Sequence, residues 1–178
     1  GDVYKRQVYS MSYKQNEGAF LAGVLAATAT ASDMEHANPD ATIGFVGAKD
    51  TAAVINDSAV GFIEGARFVN PDIKVLVSYV GSYVDSATAK ELALTQYSSG
   101  ADVVFVAAGP ASVGAIEAAA ESQKYIIGVD SDQALAYDGK PEADYIISSA
   151  IKDVGGSIVK AVEPVSYTHL RAHETTLH

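Results

Sequence analysis

The chain has 178 residues, 48% hydrophobic and 19% charged, with 22 acidic against 12 basic residues and a formal net charge of −10. That balance argues against nucleic acid and anionic membrane as partners, since both repel an acidic protein that has no basic cluster. There is no cysteine, so disulfides and thiolate metal sites are excluded, and no apolar run reaches the length of a membrane span.

In chain order the first stretch, GDVYKRQ (1–7), differs in style from the body of the chain, as does VSYTHLRAHETTLH (165–178) at the other end. Asp2 to Gln7 reads codon by codon as GAT GTG TAT AAG AGA CAG, a transposase-type sequencing adapter. Val165 to Thr175 reads as the opposite-strand adapter running outward. Three of the four histidines, His169, His173 and His178, fall in that tail, so metal binding by it is discounted. We expect both ends to be non-native and the remainder to be a fragment cut on both sides.

Between them, EGAFLAGVLAATATAS (17–32) is Ala-rich and apolar almost all round, which predicts a buried helix. HANPDA is a turn-rich connector, and its His36 reads as inert. TIGFVG (42–47) is a strand and AAVINDSAVGFIEGARFVN (52–70) a helix with apolar positions at helical spacing. DIKVLVSYV (72–80) is a strand, and DSATAKELALTQYSSG (85–100) a helix with Asp85 as N-cap and Gly100 as stop. DVVFVAA (102–108), YIIGVD (125–130) and DYIISS (144–149) are further strands. ASVGAIEAAAES (111–122) and IKDVGGSIVKAVE (151–163) are helices, and QALAYDGKPEA is a loop. Short, β-branched, doubly apolar strands alternating with helices predict an α/β fold: a parallel sheet covered by helices on both faces, with right-handed crossovers.

In such a sheet ligands sit beyond the carboxyl ends of the strands. The residues there are Lys49 and Asp50, then Tyr83, then Gly109 and Pro110 before a helix start, then Asp130 and Asp132, and finally Ser148, Ser149 and Lys152. Together they describe a pocket for a small polar ligand with a flat part and several hydroxyls. Each also has a plainer reading. Asp85 reads as a cap rather than a contact, Asp132 as a turn stabiliser, Asp50 as a solvated charge and Tyr83 as a loop cover. Lys152 opposes the dipole at a helix start, which favours a partner such as Asp130 or a ligand. No dinucleotide fingerprint, phosphate loop, nucleophile elbow or histidine cluster is present. Asp130 and Asp132 could hold Mg²⁺, but nothing adds the further ligands such a site needs. We therefore expect no catalytic residue, no metal and no cofactor.

EGAFLAGVLAA, IGFVGAKD, GFIEGARFVNPDIKV, YVGSYVD, GADVVFVAAG, YIIGVDSDQ and ISSAIKDVGGSIVKA, in this order, resemble the basic membrane protein family. These are PnrA-like substrate-binding lipoproteins of nucleoside ABC transporters. The resemblance implies a type I periplasmic-binding-protein fold, with two α/β lobes, a purine nucleoside in the cleft and an ABC permease as partner. It also implies an extracytoplasmic setting, with membrane contact only through a lipid anchor outside the fragment, and no catalysis. Asp130 and Lys152 match the acid and lysine that grip ribose hydroxyls. Tyr83 stands where the family has Phe, stacking on the purine. Gly109 matches a loop lining the sugar, Asp50 a group that reaches the base, and Asp132 joins this set. GPAS departs from the family's Gly-rich GTG turn. On this resemblance 42–141 forms one nearly complete lobe, while 8–33 and 144–163 are pieces of the other. The rival readings are the sensing domain of a LacI-type regulator or a sugar or autoinducer binder, and a Mg-dependent Rossmann-like enzyme.

Overall fold

Apolar, β-branched runs become five parallel strands in the computed structural model, which describes residues 11–162. The segments 1–7 and 165–178, expected to be adapter-derived, lie outside the described residues. The elements are α1 (Gln15–Thr30), β1 (Thr42–Gly47), α2 (Ala53–Val69), β2 (Lys74–Tyr79), α3 (Ser86–Ser98), β3 (Val103–Ala107), α4 (Ser112–Ser122), β4 (Tyr125–Asp130), α5 (Gln133–Ala136) and β5 (Ile146–Ile151).

The strand order is β2-β1-β3-β4-β5. β1 is buried along its whole length and pairs on both sides, with Phe45 in register with Val77 and Phe105. The chain runs outward from β1 to β2, then crosses back over β1 to begin β3. Between β1 and β3 the direction of winding reverses, and that is where sheets of this order open a crevice.

Helices cover both faces, as the doubly apolar strands require. On one face Phe45 packs against Phe62 of α2 and Phe105, with ring centroids 6.2 and 5.8 Å away. On the other, Gln96 of α3 lies against Gly44 and donates to the Phe45 carbonyl at 2.9 Å. α1 and α2 meet backbone to backbone: a Cβ at Gly65 would collide with the Phe20 carbonyl, and one at Gly23 with the Phe62 carbonyl. Buried Asp102, just before β3, accepts from Thr30 Oγ1 at 2.6 Å and Asn38 N–H at 2.9 Å, tying the α1–β1 connector to the base of the sheet.

The structure departs from the sequence reading in three places. α1 is not buried all round. Ala19, Ala22, Ala26 and Ala27 face α2 and the sheet, while Leu21 is 67% exposed, because nothing in the described residues covers the outer side. The last strand begins later than 144, since Pro141–Tyr145 forms a 3₁₀ turn first and the β4–β5 register then shifts between Ile126 and Ile127. Ser148 and Ser149 therefore lie inside β5 rather than beyond it. Finally, the stretch QALAYDGKPEA, read as a loop, contains the short helix α5 and the start of that 3₁₀ turn. Lys14–Ile151 packs as one compact unit, and the described residues from Lys152 on belong to another. α1 and β5 lie in the same packing unit as 42–141, with α1 against α2 and β5 hydrogen-bonded beside β4. In the other unit residues 154–162 are helical, and Asp153 Oδ1 accepts the Gly156 N–H at 2.8 Å as its cap.

Candidate functional site

The loops at the carboxyl edge are tied to one another before any side chain is considered. The Ala48 N–H donates to the Ala107 carbonyl at 3.0 Å and the Gly81 N–H to the Ala48 carbonyl at 2.7 Å. The Ala111 N–H donates to the Tyr83 carbonyl at 2.9 Å, so the β2–α3 loop and the start of α4 hold one another in place. Gly109 supplies the bend between them with φ +57°, a backbone conformation in which glycine carries no steric penalty. The Tyr83 ring passes close by, 3.5 Å from where a Gly109 Cβ would be, and Lys49 Nζ lies 6.0 Å from that ring's centroid. Lys49, Tyr83 and Gly109 thus gather where the winding reverses.

Gly109 also belongs to a cleft of about 300 Å³ shared with Ser112, Ile116, Val129, Asp130 and Gln133. Its lining joins apolar Ile116 and Val129 to polar Ser112, Asp130 and Gln133, the usual composition of a site for a small molecule with one greasy face. Asp130 ends β4 with φ +71°, left-handed backbone that is uncommon outside glycine and that aspartate and asparagine enter more readily than other residues. Such conformations persist where the surrounding structure enforces them, and they cluster at functional sites. The enforcement is visible next door. Gly128 leaves room for the Gln133 side chain to lie over β4, and the Gln133 N–H donates to Ser149 Oγ at 3.1 Å. Gln133 Nε2 donates to the Val129 carbonyl at 3.0 Å, closing the turn that presents Asp130.

Of the residues expected from sequence, Gly109 and Asp130 share this cleft and Tyr83 adjoins it through Gly109. Asp132 caps α5, accepting the Leu135 N–H at 3.2 Å, and does not line the cleft. Asp50 is exposed in the loop after β1, where its carbonyl accepts from Asn56 Nδ2 at 2.7 Å. Lys152 belongs to the other packing unit, just outside the Asp153 cap. Asp85 caps α3, accepting from Thr88 N–H at 3.0 Å and Thr88 Oγ1 at 2.7 Å. Those hydrogen bonds, the backbone one foremost, hold its carboxyl below the ordinary range. Ser112 is a lining residue that sequence reasoning missed. The signal available was a hydroxyl at the first turn of a helix following a strand. Among the described residues no cluster of His, Asp and Glu gathers as metal ligands, and no helix is long and apolar enough to cross a membrane.

Comparison with known proteins adds four findings. A family model described as "ABC transporter substrate-binding protein PnrA-like" matches residues 1–176. Basic membrane protein A1 of Borrelia garinii subsp. bavariensis is 37% identical over 150 residues, covering 83% of this chain and 40% of that protein. The ABC transporter nucleoside-binding protein BmpA of Lactococcus lactis subsp. cremoris is 36% identical over 171 residues, covering 89% of this chain and 46% of that protein. A crystal structure of an ABC transporter solute-binding protein from Aeropyrum pernix K1 superposes with a TM-score of 0.71 at 24% identity, over 87% of this chain and 43% of that one. The last shows a shared fold, the type I solute-binding architecture. The chain spans less than half the length of these relatives.

Proposed function

The chain belongs to the PnrA-like family of ABC transporter substrate-binding proteins, and from that premise we propose that it is part of a receptor that captures purine nucleosides for uptake. The observation that carries the reading is the cleft at the carboxyl edge of the sheet, where Asp130 is held in left-handed backbone beside Gly109. A carboxylate accepts from two vicinal hydroxyls at once, and such charge-assisted bonds are stronger than neutral ones. Ribose offers that pair. The Tyr83 ring, 37% exposed and adjoining Gly109, supplies a flat face for the base, and stacking of this kind is worth roughly 1–3 kcal/mol per base. Asp50 reaches toward the base, and Asp132 caps α5 in the turn that follows Asp130.

In this reading Lys14–Ile151 is most of one lobe. A second lobe supplies the opposite wall, closes over the nucleoside and presents the loaded form to a permease. The receptor works outside the cytoplasm, held at the membrane by a lipid anchor, and it performs no catalysis. Calorimetric titration of the full-length protein with adenosine, guanosine, inosine, uridine and ribose tests it. Micromolar or tighter binding of purine nucleosides, without binding of ribose, is the expected result. Binding of a free sugar alone would keep the architecture and overturn the substrate.

A further inference from the structure

Helical hydroxyls in this chain commonly satisfy themselves by donating to the carbonyl one turn back. Thr28 does so to Val24, Ser58 to Val54 and Thr95 to Glu91, at 2.8, 2.9 and 2.8 Å. Ser112 does not. It is 8% exposed, and its Oγ is buried with no hydrogen-bond partner. Tyr13 Oη and one oxygen each of Gln96, Asp102 and Glu142 are buried and unpaired as well, but of these five residues Ser112 is the one that lines the cleft. An unpaired buried hydroxyl is destabilising, so its retention calls for a partner supplied from elsewhere.

The position of Ser112 indicates which partner. It opens the eleven-residue helix α4 and lines the same cleft as Gly109 and Asp130. At Pro110, Ala111 and Ser112 the backbone donors are already committed or missing. Pro110 has no N–H, the Ala111 N–H goes to the Tyr83 carbonyl and the Ser112 N–H goes to the Gly109 carbonyl. The Ser112 hydroxyl is a further donor at this turn, and it lies beside the cleft without a protein partner. The chemistry is complementary to that of Asp130. A sugar hydroxyl that gives its proton to a carboxylate keeps lone pairs free to accept, and an aspartate cannot satisfy them. The Ser112 hydroxyl can, and the positive end of α4 favours an oxygen there.

We propose that Ser112 is a specificity-determining residue, donating through its hydroxyl to a sugar oxygen of the ligand in the cleft it shares with Asp130. The proposal rests on the nucleoside reading above. It is tested in the full-length protein, wild type and Ser112→Ala, titrated with adenosine and its 2′-, 3′- and 5′-deoxy forms, with the melting temperature of the ligand-free proteins measured alongside. Ser112→Ala should bind adenosine about tenfold more weakly, the loss of one neutral hydrogen bond. One deoxy analogue should bind wild type and variant equally, which identifies the oxygen contacted. The ligand-free variant should melt no lower than wild type, since the substitution removes an unsatisfied group. Unchanged adenosine affinity would overturn the proposal. So would an equal loss across all analogues accompanied by a lower melting temperature, which is the mark of a structural serine. Wild type that binds no nucleoside would overturn the reading beneath it, and the proposal with it, before the variant is made.

Discussion

Asp130 combines a strained backbone with a charged side chain, and the two can be separated by choice of substituent. Asparagine tolerates left-handed backbone better than other side chains do, so Asp130→Asn keeps the φ of +71° while removing the charge. Its melting temperature should stay near wild type while nucleoside affinity falls roughly 10- to 100-fold, the scale of charge-assisted hydrogen bonds. Asp130→Ala should lose the same affinity and some stability besides, because alanine adopts that backbone poorly. Equal affinity of wild type and Asp130→Asn would remove this carboxylate from the site. Asp85 carries a different prediction. Its Thr88 hydrogen bonds lower the folded-state pKa, so their stabilisation is present above the ordinary value of 3.8 and is lost as pH falls through the lower folded value. Asp85→Ala should therefore melt below wild type at neutral pH, and the gap should narrow in acid. Thermal scans from neutral pH into the acid range below that ordinary value check this. Cap residues such as Asp85 and Asp132 are legible in sequence because their partners lie three residues away. Asp102 is not, because its partners Thr30 and Asn38 are 72 and 64 residues distant. Nor is Ser112, whose meaning depends on a hydrogen bond it fails to make.

At the scale of elements, α/β alternation was legible throughout, because a doubly buried parallel strand leaves an unbroken apolar run and a covering helix leaves a periodic one. β1 and β4 have the expected bounds. The faces of α1 were less legible. Alanine reads as apolar in every direction, and only the partner decides which side is covered. The glycines are the better guide. Gly23 on α1, and Gly61 and Gly65 on α2, stand where a Cβ would strike backbone carbonyls of the other helix. Backbone cannot rotate aside as a side chain can, so Gly65→Ala must push the helices apart. We expect a loss of about 2–3 kcal/mol, the upper range for overpacking, read as a lower urea midpoint with little change in slope. By contrast Gly155→Ala, where a Cβ meets nothing, should leave the midpoint unmoved. Strand neighbours were hard to read for a related reason. A strand sequence shows that it is buried on both faces but not which neighbour it pairs with, and β5 pairs with β4.

Across this chain the net charge of −10 bears on which ligands its cleft favours. A nucleoside is neutral, whereas a nucleotide brings phosphate charge toward an acidic protein whose cleft has Asp130 as its charged lining residue. Adenosine should therefore bind at least about tenfold more tightly than its 5′-monophosphate at low salt. The gap should shrink as ionic strength rises from about 10 mM to about 0.5 M, since the Debye length contracts from about 30 Å to a few ångströms. Adenosine itself should be nearly indifferent to salt. The local charge pattern makes the comparison sharp. Lys49 Nζ stands 6.0 Å from the Tyr83 ring centroid, within reach of a phosphate carried by a ligand stacked on that ring. If the monophosphate binds as well as adenosine, that lysine is serving as a phosphate anchor, and Lys49→Ala should then weaken the monophosphate alone. If Lys49→Ala instead changes both ligands equally, its role is to support the ring, and discrimination belongs to the overall field. Paired titrations at two salt concentrations separate discrimination by the chain's acidic field from discrimination by a single side chain.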